Sequence, residues 1–185
     1  DYGLFNNKLS GSLEVYLKES NDLLANVAIS DGSNFSNSGF QNIGKFTSKG
    51  IEFSIGSDIV STDDLKIDVN YNVSFNQTEI DELALEQDIR VGGIGGGTGG
   101  TVQLHSQGYA PFSYYVYKQL YDVDGLPIEG AYADLNQDGI INDSDRYIYK
   151  KTDADVLMGF QSNINYKAFD LSFNLRASIG NYMYN

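Results

Sequence analysis

Apolar and polar residues take turns along several stretches of the chain. From Phe169 to Gly180, Phe169, Leu171, Phe173, Leu175, Ala177 and Ile179 alternate with Asp170, Ser172, Asn174, Arg176 and Ser178. A period of two sends successive side chains to opposite faces of extended backbone, so the run predicts a strand with one apolar face. Just upstream, Val156, Met158, Phe160, Ile164 and Tyr166 alternate with Gln161, Asn163 and Asn165, and only Lys167 and Ala168 separate the runs. That spacing predicts a tight hairpin. A second hairpin is predicted where Ile51, Phe53, Ile55 and Ile59 precede Ser61-Thr62-Asp63-Asp64, followed by Leu65, Ile67, Val69, Tyr71, Val73 and Phe75. Near the start, Leu9, Leu13, Val15 and Leu17 alternate with Ser10, Ser12, Glu14 and Lys18 after Asn6-Asn7, and asparagine tolerates the left-handed backbone of short turns.

Between these hairpins the connections are long and polar or glycine-rich: residues 19–46, 79–155, and whatever follows Asn185. Short and long connections alternate. A soluble sandwich has no reason to sort its loops by length, whereas a membrane barrel has short turns on its periplasmic side and long loops outside. The expected class is therefore all-β: an antiparallel segment of a large transmembrane β-barrel, with about six strands. On this reading Asn6-Asn7, Ser61 to Asp64 and Lys167-Ala168 are periplasmic turns. Tyr16, Phe46, Tyr166, Phe169, Tyr182 and Tyr184 suit aromatic girdles. Glu14, Glu52, Asp68, Asn70, Asn72, Asn163, Asn165, Asp170, Asn174 and Arg176 would line a wet interior. Alternation alone also fits a soluble sandwich whose apolar faces meet in a core.

Composition narrows the choice. No stretch of about 18 apolar residues is present, which excludes a transmembrane helix but not membrane strands, which need about ten alternating residues. With 25 acidic and 12 basic residues the formal charge is −13 and no basic stripe exists, which argues against nucleic acid. The absence of cysteine removes disulfides, thiolate metal sites and a cysteine nucleophile. A start at Asp1 without a leader, and a stop at Asn185 directly after a strand-like run, read as a mature or excised piece.

Candidate chemistry concentrates in residues 79–155. From Asp134 to Asp145 the chain places oxygen side chains at the spacing of a calcium loop, with Gly139 at the sharp sixth position. The candidate ligands are Asp134, Asn136, Asp138, the Ile140 carbonyl, Asn142 and Asp145. Asp145 stands where an EF-hand has glutamate, and the flanks are tyrosine-rich and extended, which argues against a helix-opening switch. Asp, Asn and Gly are also plain turn formers, so an ion-free acidic turn is the alternative. The glycine run Val91 to Thr101 lacks a Gly-Lys-Ser/Thr ending and is expected to be a mobile loop. Tyr109, Phe112, Tyr114, Tyr115 and Tyr117 are candidate ligand or partner contacts, with ordinary strand packing as the alternative. His105 is the single histidine, so a catalytic triad or zinc site would rest on it alone, and no carboxylate pair sits in a hydrolase motif. No enzyme is expected.

The runs LFNNKLSGSLEVYLKESNDLL, NIGKFTSKGIEFSI, LKIDVNYNVSFNQTEI, DLNQDGIINDSDR and MGFQSNINYKAFDLSFNLRASIGNYMYN closely resemble, in the same order, the SusC-like (SusC/RagA) family of TonB-linked outer-membrane receptors. The resemblance covers nearly the whole chain. It implies a piece, residues 1–185, from the C-terminal half of a plugged barrel, without the plug, the TonB-contacting segment or the closing strands. It further implies TonB-driven import of a glycan or peptide across the outer membrane, barrel lipid around the wall, and a SusD-like surface lipoprotein as lid. The competing class is a soluble, calcium-stabilised β-sandwich binding or adhesin module, and a hydrolase ranks third.

Overall fold

The computed structural model describes residues 1–21, 24–28, 38–42, 44–83, 88–94 and 100–184. Fourteen strands are present among them: β1 (Tyr2–Leu4), β2 (Leu9–Ser20), β3 (Leu24–Ala28), β4 (Ser38–Asn42), β5 (Gly44–Ser61), β6 (Leu65–Leu83), β7 (Ile89–Gly93), β8 (Thr101–His105), β9 (Ser113–Tyr117), β10 (Gln119–Tyr121), β11 (Pro127–Tyr132), β12 (Arg146–Ile148), β13 (Val156–Tyr166) and β14 (Phe169–Ile179). The one helical element among the described residues is a 3-10 turn, Asp143–Asp145. No helix of the described residues is long and apolar enough to cross a membrane, which leaves crossing by strands untouched.

The chain divides into two compact units. The first comprises Asp1–Ser20, Phe46–Thr78 and Asp153–Asn185. Its six-stranded sheet has the order β1-β2-β5-β6-β13-β14. Three short turns join neighbouring strands, and each has a local cause. Phe5, Asn6 and Asn7 all take positive φ, 54°, 58° and 63°, where asparagine is tolerated better than most residues. At the second turn the Thr62 amide and hydroxyl both donate to the Leu65 carbonyl, at 2.8 and 3.0 Å. At the third, Lys167 lies at φ 54° and its amide donates to the Asp64 carbonyl at 2.9 Å, tying two turns together.

The second unit comprises Asn21–Lys45 and Glu79–Thr152. Instead of bare loop it contains the β3-β4 pair, a four-stranded sheet of order β12-β9-β8-β7, and the β10-β11 hairpin. Its core is small: Ile80, Leu83, Leu104 and Tyr114 are the buried apolar residues among those described. Each contributes about 1.5–3 kcal/mol through removal from water. The sheet is clamped to the last part of the segment by backbone bonds from Tyr114 to the Lys150 carbonyl (2.6 Å) and from Tyr149 to the Tyr114 carbonyl (2.9 Å). Against the loop expected over Val91 to Thr101, the ends of that run are strand: Val91 pairs with Gln103 and Gly93 with Thr101 in the β7-β8 ladder, while residues 95–99 lie outside those described.

Candidate functional site

Register decides which side chains share a face, and here it sorts the first unit into two chemistries. Across β6, β13 and β14, Tyr71, Phe160 and Leu175 are in line, as are Val73, Met158 and Ala177, and Ile67, Ile164 and Leu171. The intervening rows are polar: Asn70, Gln161 and Asn174; Asp68, Asn163 and Ser172; Asn72, Gly159 and Arg176. On β2 and β5, Leu13 faces Phe53 and Val15 faces Ile51, while Ser12 faces Ser54 and Glu14 faces Glu52. A one-residue slip would exchange the faces completely, so rows matched across β6, β13 and β14, and across β2 and β5, specify each register strongly against such a slip.

The apolar rows have nothing on top of them in this unit: Val15, Leu171 and Leu175 are 75, 59 and 60 % exposed. The polar rows are cross-linked instead. Ser12 and Ser54 hydroxyls are 2.8 Å apart, Asn163 Nδ2 donates to Asp68 Oδ2 at 2.8 Å, and Asn76 Oδ1 accepts from Tyr16 and from Ser48, both at 3.0 Å. Strands β13 and β14 have 11 residues each. At about 3.3 Å per residue they span roughly 36 Å, which a tilt of about 45° projects to roughly 26 Å, the height of a barrel's apolar band.

Tyr16 departs from its expected girdle position. It pairs with Gly50 in the register and belongs to the polar face. A Cβ on Gly50 would lie 2.5 Å from the Phe75 carbonyl oxygen and 2.6 Å from the Tyr16 ring, so glycine is required for this close approach. At the opposite end of the sheet, Tyr166 and Phe169 pair beside the third turn, as a girdle would have them.

The Asp loop is closed by its own side chains. Asp134 Oδ1 accepts the Gln137 amide at 2.6 Å and its Oδ2 the Gly139 amide at 2.7 Å; Gly139 has φ 83°, which explains glycine there. Asp138 Oδ1 accepts the Ile140 amide at 2.8 Å, and Asn136 Nδ2 donates to Asp138 Oδ2 at 2.9 Å. Asp145 is entirely buried and holds the loop's two ends, its Oδ1 accepting the Leu135 amide and its Oδ2 the Asn142 amide, each at 2.8 Å. The Asn142 amide above all, helped by those of Leu135 and Asn136, keeps its carboxyl below the usual carboxylate range. Asn142 caps the 3-10 turn by accepting from Ser144. Among the described residues no group of three or more His, Cys, Asp and Glu side chains is gathered to hold a metal ion.

Arg146 follows directly and was not singled out by the sequence. Its side chain is 8 % exposed, and its guanidinium donates to the Tyr115 carbonyl (3.2 and 2.7 Å), to the Thr101 carbonyl and to Asp143 Oδ1 (3.3 Å). Asp143 also accepts from Arg90 at 2.6 Å, and that bond holds its carboxyl below the ordinary range. The two arginines cover Tyr115, at 5.6 Å for Arg90 and 4.7 Å for Arg146. The tyrosine group therefore splits: Tyr114 is core, Tyr115 is stacked under guanidinium, Tyr117 packs on Tyr132 at 5.2 Å, and Tyr109 and Phe112 remain 46 and 47 % exposed. His105 Nδ1 accepts the Phe112 amide at 3.3 Å and its ring meets Phe112 edge-on at 4.6 Å; burial lowers its pKa. An imidazole so engaged serves packing.

No family model matches the chain. Among curated proteins it is 43 % identical over 189 residues to the TonB-dependent receptor SusC of Bacteroides thetaiotaomicron, covering 100 % of this chain and 19 % of the relative. It is 31 % identical over 196 residues to TonB-dependent receptor P3 of Formosa agariphila, covering 97 % and 19 %. Among solved structures, the RagAB peptide transporter superposes with a TM-score of 0.72 at 21 % identity over 96 % of this chain and 20 % of that one. The RagAB peptide importer in its open-open state gives 0.72 at 22 % identity, with 97 % and 19 % covered. The chain thus spans about a fifth of the length of the curated relatives it matches. With that identity over the whole chain and that likeness of fold, the chain belongs to the SusC-like TonB-dependent receptors, and its six-stranded sheet is a piece of their β-barrel.

Proposed function

We propose that this chain is part of the wall and the outer loops of an outer-membrane importer that takes up a glycan or a peptide, is energised through TonB, and works with a SusD-like surface lipoprotein as its lid. The observation that carries the reading is the sheet whose apolar rows lie open on one face while its polar rows are hydrogen-bonded on the other. Open rows of Leu, Val, Phe and Ile are costly against water and favourable against lipid, and paired strands leave few backbone groups unsatisfied there. A soluble sandwich would have to lay a second sheet on that face, and the first unit contains only one sheet among its described residues. The second unit, with its own small core, supplies the external loops on this reading. Import is further supported by the relatives' names, TonB-dependent receptors and a peptide transporter.

The test is uptake in cells. Deleting the receptor gene should abolish uptake of one labelled oligosaccharide or oligopeptide class, and deleting TonB should abolish the same uptake. Uptake of every class tested at wild-type rate in the deletion strain would refute the reading. Within the same proposal the Asp loop takes calcium, the ion itself drawing together carboxylates that are not gathered without it. Each carboxylate oxygen has two lone pairs, so a bond from a backbone amide leaves capacity for a cation, and the spacing of Asp134, Asn136, Asp138, Ile140, Asn142 and Asp145 supplies six oxygens.

A further inference from the structure

Short turns set the register of the β1-β2 and β5-β6 hairpins, but residues 21–43 separate β2 from β5, so no turn sets the pairing of those two strands. The period of two forbids a one-residue slip at that seam, yet it permits a slip of two, which keeps every side chain on its own face. Moving β2 two residues along β5, towards Ile59, would set Leu17 against Ile51 instead of Lys49, and Leu9 against Ile59 instead of Ser57. It would also part Glu14 from Glu52, which the observed register places directly opposite each other at a cost. Apolar pairing and charge both favour the slipped register, and neither explains the observed one.

What distinguishes the observed register is a notch. Tyr16 pairs with Gly50, and its side chain crosses β5 there, so that its hydroxyl donates to Asn76 Oδ1 on β6 at 3.0 Å. A Cβ at Gly50 would lie 2.6 Å from the Tyr16 ring. The next residues of β5 on the same face are Ser48 and Glu52, and a slip of two in either direction would bring one of them, Cβ included, under that ring. The Ser12–Ser54 hydroxyl pair, at 2.8 Å, supports the same register, since the slip towards Ile59 sets Ser12 against Gly56 instead. Tyr2 offers a contrast: it packs over Gly11 in the same way, but its hydroxyl donates to the Ser54 carbonyl (3.3 Å), and carbonyls recur along β5 whatever the slip. Tyr2 ties the strands together without reading their register; Tyr16 reads it.

We propose that Tyr16 and Gly50 form a register key: as the barrel assembles, the tyrosine ring seats in the glycine notch and selects one among the face-preserving pairings of two hairpins that a long connection leaves free to slide. Closure of a barrel constrains the sum of the staggers between its strands and not the stagger at each seam, so it leaves this choice open. The key acts in building the wall, whatever the receptor imports.

The test uses the full-length receptor in its own outer membrane, freed of any cysteine outside this cysteine-less segment, and reads the register by disulfide trapping. Directly opposite residues, about 4.5–5.5 Å apart at Cα, can form a disulfide, whereas diagonal ones at about 7–8 Å cannot. Leu13→Cys with Phe53→Cys reports the observed register, and Leu13→Cys with Ile55→Cys reports the slipped one. With Tyr16 and Gly50 intact only the first pair should lock. Gly50→Ser should raise the yield of the second pair relative to the first by about ten-fold or more. Tyr16→Ser, which puts nothing into the notch, should shift the ratio in the same direction. Gly50→Ser with Glu52→Gly moves the notch to the position that Tyr16 meets in the slipped register, and the second pair should then dominate. If Gly50→Ser alone keeps the receptor out of the membrane, the Tyr16→Ser and moved-notch variants decide. The first pair locking alone in every variant that reaches the membrane would overturn the proposal, as would a moved notch that leaves the first pair dominant.

Discussion

Leu175 and Asn174 are neighbours on β14 and both exposed, so they separate a membrane wall from a soluble sheet cleanly. Leu175 stands in the central apolar row with Phe160 and Tyr71; Asn174 stands in the polar row with Gln161 and Asn70. In water, arginine at either position replaces an exposed side chain, and each change should lie within about 0.5 kcal/mol of neutral. In a bilayer the two diverge. Phe160, Leu175's partner, is near the middle of the 11-residue strand β13, so Leu175→Arg brings a guanidinium to the depth where a lipid-facing charge costs about 2–4 kcal/mol. Asn174→Arg enters the polar face and should stay within about 0.5 kcal/mol, since wet barrel interiors accept charge. The difference corresponds to roughly 30- to 900-fold in the folding equilibrium. The assay is reversible urea unfolding of the full-length receptor in bilayers, read by the gel mobility of folded against unfolded barrel. Equal costs for the two variants would refute the assignment of the apolar rows to lipid.

Three further outcomes follow from single contacts. Gly50→Ala should destabilise by about 1–3 kcal/mol, because the added methyl meets the Phe75 carbonyl as well as the Tyr16 ring; Tyr16→Ala in the same chain should recover only the ring's share, and full recovery would show that the carbonyl contact is not limiting. Arg146→Lys should leave the wall intact but make the second unit protease-sensitive, because one ammonium cannot serve the carbonyls of Tyr115 and Thr101 together with Asp143 and cover the Tyr115 face; unchanged digestion would remove the clamp. For the Asp loop, calorimetry on the intact receptor should show calcium binding that Asp134→Ala with Asp138→Ala abolishes, and no heat in the unmodified receptor rejects the calcium reading.

Acid should act on the same unit in a defined direction. Asp143 is held down by the Arg90 bond and Asp145 by the Asn142 amide, so both bind protons less readily folded than unfolded. Their contribution is complete above the ordinary carboxylate pKa of about 3.9 and is lost as pH falls through the lower folded values. Near-ultraviolet dichroism of the tyrosines should hold down to about pH 4 and collapse only below it, and a loss centred near about pH 6 would contradict this assignment.

The wall was legible because a period of two needs no long-range information: once Leu171 and Phe173 are known to share a face, so are Leu175 and Ile179, and tight turns then set which residues pair. The upper parts of β5 and β6 were not. Their sequences lose the alternation near Asn76, and what extends β6 to Leu83 is the burial of Ile80 and Leu83 in the second unit. The loop sheet was missed for the same reason. Strands of three to six residues, such as β9 and β12, have too little pattern to announce themselves, and their pairing depends on partners up to about thirty residues away. Arg146 is the sharpest case. Its spacing after Asp145 says nothing of the Thr101 and Tyr115 carbonyls, so nothing local marks this arginine for burial.

The two units solve opposite solvent problems with one composition. In the second, apolar side chains are irregularly spaced, and they succeed as a core where Leu104 and Tyr114 are brought inward by adjacent strands. In the first, apolar side chains are about as numerous but largely periodic, and the sheet gathers few of them into an interior: the residues it buries among those described include Ser162, and many of the large apolar ones stay open. Hydrophobic content alone would not separate the two units. Periodicity does, because alternation delivers most apolar residues to one side of a single sheet, where only another sheet or lipid can cover them.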